Sequence, residues 1–104
     1  MGALTVPEYL RLFQSAADPA DVQEVRRLFV DDVKPAFEAV KGCQSVELVV
    51  CVGTNVGGLV EGAVVSRWSS LEAMEAAVAS RPVREALVRV RQVLRQEPVA
   101  KVYE

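Results

Sequence analysis

Histidine is missing from all 104 residues. That removes imidazole as a metal or haem ligand and as the side chain best suited to moving protons near neutral pH. Aromatic residues are scarce, with one Trp, two Tyr and three Phe, so each one placed in an apolar position deserves to be weighed as core or as cavity wall. Cysteine occurs only twice, at Cys43 and Cys51. The two fall on one expected strand, too far apart to bond to each other and outside metal-ligand spacing, so no metal site is expected. They read as reduced small apolar residues, with Cys51 as a reactive thiol the alternative. Neither sign of charge dominates: 12 Lys and Arg against 14 Asp and Glu leave a net charge of -2. That balance offers no broad field for nucleic acid or an anionic membrane. No apolar run reaches the roughly 18 residues of a membrane span. The start, MGALTVPEYLRLF, lacks the basic and apolar regions of a secretory leader, so a cytoplasmic protein is expected.

What is present is 51% hydrophobic content, enough for one domain spanning residues 1–104, without repeat, linker or low-complexity tract. EYLRLFQS alternates, with Tyr9, Arg11 and Phe13 on one face and Leu10 and Leu12 on the other, the period of a strand. Asp18 is placed to cap a helix, with Pro19 at its first position and Asp21 in its first turn. Val22, Val25, Phe29, Val33, Ala36, Phe37 and Val40 follow at helical spacing, and Gly42 ends the segment. Pro35 inside it is expected to kink it, since no bond can run from residue 35 to the Asp31 carbonyl.

CQSVELVVCV reads as a strand with Val46, Leu48, Val50 and Val52 on one face and Glu47, Val49 and Cys51 on the other. GTNVGG makes the turn, with Asn55 a turn residue, and LVEGAVVSRW returns as the second arm of a hairpin. Ser69 and Glu72 have capping-box spacing for the next helix. Ser80, Arg81 and Pro82 interrupt it, and Val83, Leu87, Val90 and Leu94 form a second buried stripe flanked by Arg84, Arg91 and Arg95. EPVAKVYE closes as a strand. The order βαββαβ predicts an α+β ferredoxin-like sandwich, a four-stranded antiparallel sheet with the helices on one face. The other face also carries apolar residues, Val49, Val65, Cys51 and Ala63, and the simplest cover is a second copy, giving a homodimer through the sheet face. Glu47 and Glu61 belong to that face and are placed to pair with Arg11 or Arg67.

The charged helix after strand one, the FEAVKGCQSVEL hinge and SRWSSLEAMEAAVASRPVREAL together resemble the antibiotic biosynthesis monooxygenase-like group of the dimeric α+β barrel superfamily. The resemblance covers nearly the whole chain. It implies either cofactor-independent oxidation of a small aromatic or quinone-like molecule, or another activity found in that group, such as haem degradation, isomerisation or a lyase reaction. In many relatives a histidine occupies the position of Ala77, and haem-degrading members use one at about Leu87. Neither is present here, so histidine-ligated haem degradation is excluded and no cofactor is expected.

Trp68, matching an aromatic that lines the cavity in haem-degrading relatives, is the leading residue for a wall between sheet and helices. Burying about 200 Å² is worth on the order of 5 kcal/mol as an upper bound, so core packing alone also accounts for it. Phe13, Phe37 and Met74 face the same choice. Arg84, or a tyrosine, is placed to polarise a ligand carbonyl, and no catalytic residue is assigned. Three readings follow: a monooxygenase-like enzyme, a non-catalytic small-ligand-binding or accessory homodimer, and an oligomerising domain with a filled core.

Overall fold

Alternating side chains over Tyr9–Ala17 build the first strand, β1, and the rest of the fold is arranged around it. The computed structural model describes residues 8–104; residues 1–7, on which the leader argument and the start of the domain partly rested, lie outside them. β1 pairs antiparallel with β3 (Val60–Trp68) on one side and with β4 (Val99–Tyr103) on the other, and β2 (Cys43–Val50) pairs with β3. The resulting order β2-β3-β1-β4 is the α+β ferredoxin-like sheet expected from the element order.

Cross-strand partners share a face. Tyr9, Arg11 and Phe13 therefore lie beside Trp68, Ser66 and Val64, and Val46 and Leu48 extend the row through β2. This side meets the helices. Gln44 is the extra residue of a bulge between Cys43 and Ser45, which lets the half-buried Cys43 rather than Gln44 stand opposite Trp68.

Asp18 caps as expected, its carboxylate accepting from the Ala20 amide at 2.9 Å, and a single 3-10 turn at Pro19–Asp21 leads into α1 (Val22–Leu28). The kink expected at Pro35 takes another form. A π turn over Phe29–Val33, closed by the Lys34 amide on the Phe29 carbonyl, precedes α2 (Lys34–Glu38), which begins with Pro35 in its first turn. The wider turn absorbs the missing amide upstream of the proline while the backbone stays helical.

Gly42 then takes φ +99°, and a Cβ there would stand 2.5 Å from the Ala73 Cβ. Its carbonyl accepts the Ser69 amide at 3.0 Å, which ties the end of β3 to the end of the helical arm. The N-cap of α3 (Leu71–Ala79) lies one residue later than the spacing indicated: Ser70, not Ser69, accepts the Ala73 amide, at 3.1 Å. Ser69 is instead drawn to Gly42. Ser80 is extended and separates α3 from α4 (Arg81–Arg91), with Pro82 in the first turn of α4.

The core is a single cluster under the helix-facing side of the sheet. Val33, Phe37, Trp68, Val83 and Ala86 are sealed from solvent.

Candidate functional site

Trp68 ends β3, and its whole side chain is buried, 0% exposed. Its indole N–H donates to the Ser66 hydroxyl at 2.9 Å, and its ring meets Phe37 at a centroid distance of 6.0 Å and an interplanar angle of 52°. Met74 and Ala77, from α3, belong to the same buried cluster. Ala77 is itself sealed, so the position that carries histidine in the relatives described above is here a small core contact.

The space between sheet and helices lies toward the other end of β3. An apolar cleft of about 40 Å³ is bounded by Phe13, Leu48 and Val64 from the sheet and by Val22, Val25, Val90 and Leu94 from the helical side. The polar residues on its border are Ser15, whose hydroxyl donates to the Gln96 carbonyl at 2.7 Å, and Glu61, whose side chain belongs to the outer side of the sheet and accepts from the Asn55 side-chain nitrogen at 3.1 Å. Of the five residues singled out from the sequence, Phe13 borders this cleft. Trp68, Phe37 and Met74 are packed in the core away from it. Arg84 is exposed on the outer side of α4, opposite the buried Val83, Ala86 and Val90, and does not reach it.

Asn55 is a turn residue in full: its side-chain oxygen accepts from the Gly57 and Leu59 amides at 2.9 and 3.0 Å. Glu61 therefore pairs with Asn55 and not with Arg11, which lies on the opposite side of the sheet. Arg11, read from the sequence only as an ion-pair partner for Glu47 or Glu61, lies instead in the interior. Its alternation with Tyr9 and Phe13 was legible, but not the depth of its burial. The side chain is 9% exposed, and its guanidinium carbon sits 5.7 Å from the centre of the Phe13 ring. Its Nη1 is shut off from solvent with no hydrogen-bond partner among the described residues, and burial lowers its pKa from the ordinary arginine value.

Cys43 is half-buried, and desolvation, with the charge of Glu38, pushes its thiol up despite a weak bond to the Ser45 carbonyl. Cys51 is exposed. Among the described residues no group of three or more His, Cys, Asp or Glu side chains is gathered closely enough to hold a metal ion. The outer side of the sheet carries a shallow concavity of about 620 Å³ edged by Gln14, Val49, Cys51, Ala63, Val99 and Lys101.

A sequence profile of the family described as "Antibiotic biosynthesis monooxygenase" matches residues 9–89. No curated protein sequence matches the chain. Among solved structures, a conserved protein from Methanosarcina mazei Go1 superposes with a TM-score of 0.77 at 13% identity, over 95% of this chain and 93% of that one. The Rv0793 protein from Mycobacterium tuberculosis gives 0.70 at 18% identity, over 94% of each chain. A structure named antibiotic biosynthesis monooxygenase gives 0.71 at 12% identity, over 92% of this chain and 96% of its own. At these identities the superpositions establish a shared fold.

Proposed function

The chain belongs to the antibiotic biosynthesis monooxygenase family, and from that membership we propose that it binds a small planar aromatic molecule, of phenol, anthrone or quinone type, between sheet and helices and oxidises it with O2 without a cofactor. The observation that carries this reading is the apolar cleft under the sheet, with Phe13 as an aromatic wall and almost no polar lining. At about 40 Å³ the cleft is far smaller than ligand sites, which span about 300–1,000 Å³. Binding therefore parts α1 and α4 from the sheet. On this reading the helices hinge at the π turn that follows α1 and at the extended Ser80 that precedes α4.

The chemistry needs no metal. An anthrone-type carbanion, or its enolate, gives one electron to O2; the two radicals join in a C–O bond. The resulting peroxide anion takes up a proton, balancing the one lost when the carbanion formed, and the hydroperoxide loses water as its O–O bond breaks and its C–H proton departs. One CH2 and one O2 become one C=O and one H2O. The protein's task is to hold the ionised ring in a dry site, since low dielectric strengthens every interaction with the developing charge.

A non-catalytic binder or accessory protein is the second reading, favoured by a specific observation: Ser15 and Glu61 are the only polar residues that border the cleft, and the chain has no histidine. Adding an anthrone to the purified protein while following both Trp68 fluorescence and dissolved oxygen separates the two. Quenching with one O2 consumed per anthrone supports oxidation; quenching without added oxygen uptake supports the binder; no quenching and no uptake overturns both.

The same proposal includes a homodimer formed through the outer sheet face, where Leu10, Leu12, Val65 and Ala63 adjoin Val49, which is 48% exposed. It also includes a single functional domain over residues 1–104 and a cytoplasmic location, in keeping with two free cysteines. No helix among the described residues is long and apolar enough to cross a membrane.

A further inference from the structure

Arg11 presents a buried cation that nothing in the described chain neutralises. A guanidinium stays protonated under all ordinary conditions, and a charge removed from water is tolerated when it is paired and hydrogen-bonded. No ion pair or hydrogen bond from its side chain occurs among the described residues, and Nη1 is sealed. Residues 1–7, Met-Gly-Ala-Leu-Thr-Val-Pro, contain no carboxylate side chain to supply the missing charge.

No acceptor among the described residues reaches Nη1. Ser66, across the strand pair from Arg11, is wholly buried; its oxygen accepts the Trp68 indole N–H and takes no bond from Nη1. On that side of the sheet Tyr9 is the other titratable group of β1, and Cys43 stands two strands away; β4 places Ala100 and Val102 there, and the inner stripe of α4 is Val83, Ala86 and Val90.

The neighbouring edge is open. Val102, the β4 partner of Arg11, is 44% exposed, and the whole of β4 is exposed on both faces. Phe13 lies between Ala100 and Val64 in the sheet and forms a wall of the apolar cleft. The cation therefore sits over one edge of an apolar shelf made by Phe13, Ala100 and Val102.

We propose that Arg11 and this shelf bind the ionised oxygen of an aromatic ligand, a phenolate or enolate, with the ring against Phe13 and the oxygen accepting from the guanidinium group. The inference rests on the aromatic-ligand reading above and specifies the ligand as the anion. It gives the oxidation its reactive form, because electron transfer to O2 proceeds from the ionised ring and a guanidinium contact favours that ionisation. An opposite charge within hydrogen-bond reach lowers an acid's pKa by about one to three units. Arg11 is thus a binding group that selects the charge state of the ligand.

The test uses 2-hydroxyanthraquinone, whose neutral and ionised forms differ in visible absorption, titrated against pH in the presence of the whole chain and of Arg11→Met and Arg11→Lys. The expected result is a bound pKa at least about one unit below that of the free compound with the wild type, no depression with Arg11→Met, and partial recovery with Arg11→Lys. Equal bound pKa values in wild type and Arg11→Met overturn the inference while leaving aromatic binding intact.

Failure of the probe to bind any variant contradicts the aromatic-ligand reading, and the cation is then tested alone with sodium benzoate and melting temperature. Benzoate that stabilises the wild type and not Arg11→Met supports an anion site; equal response or none overturns it. Conversion of a dimer to a monomer by Arg11→Met at unchanged probe pKa overturns it too, since the cation would then belong to an interface.

Discussion

The indole N–H of Trp68 donates to the hydroxyl of Ser66 at 2.9 Å, two residues back on the same strand, and neither side chain touches solvent. The bond fixes the tryptophan's orientation in the core, and its acceptor is the cross-strand neighbour of Arg11. Ser66→Ala leaves the indole N–H buried without a partner, an expected loss of about 1–3 kcal/mol. Urea unfolding followed by far-UV circular dichroism measures the loss, and the folded-state emission of Trp68 should change with it.

Phe37, against the Trp68 ring and fully buried, is expected to be the most sensitive position in the core. Phe37→Ala should lower stability by about 3–5 kcal/mol, with Phe37→Leu markedly milder because it leaves a smaller void. The difference between the two denaturation midpoints checks that the cost is one of packing.

How far the sequence disclosed this arrangement depends on the kind of signal. Strand alternation and the cap at Asp18 were readable because they are local: a period of two, or a side chain reaching an amide within its own turn. The faces of β2 and β3 followed from the same period, with Leu48 and Val64 on one and Val49 and Ala63 on the other, whereas the register that pairs them did not. The Ser70 cap was misplaced by one residue because Ser69 is held by the Gly42 carbonyl, a contact across the fold that no spacing rule contains. Arg11 was assigned to a face but not to the interior, since burial depends on which side the helices cover. Trp68 was legible as a large buried side chain; its separation from the cleft was not, because the cleft is opened by α1 and α4 at the far end of the sheet.

Gly42→Ala is expected to destabilise strongly. The added Cβ meets the Ala73 Cβ at 2.5 Å, and the φ of +99° is one that side chains other than glycine rarely adopt. Loss of more than about 1 kcal/mol is predicted, with Gly53→Ala, where nothing lies within 4 Å, as the control. Parallel thermal melts of the two variants read this directly.

The raised thiol pKa of Cys43 links folding to alkaline pH. Folding favours the protonated thiol, so that contribution is complete below the ordinary thiol value of about 8.5 and is lost as pH rises through the higher folded-state value. Cys43→Val should flatten the alkaline decline in urea midpoint. In the native protein at pH 7.5, iodoacetamide with peptide mapping should label the half-buried Cys43 only slowly.

A charge placed on the outer sheet face tests the dimer. Val49→Lys, at an exposed position beside Ala63, is expected to convert a dimer to a folded monomer at micromolar concentration, as light scattering after size exclusion would report. A wild type that is already monomeric contradicts the proposed assembly.

The account turns on a ligand entering between sheet and helices, and a ¹⁵N–¹H NMR titration with 2-hydroxyanthraquinone locates it residue by residue. The account predicts that the amides of Phe13, Ser15, Val25 and Val90, around the cleft, move together and saturably. Shifts confined to Val49, Ala63, Val99 and Lys101 on the outer face, or no saturable shifts at all, would contradict it.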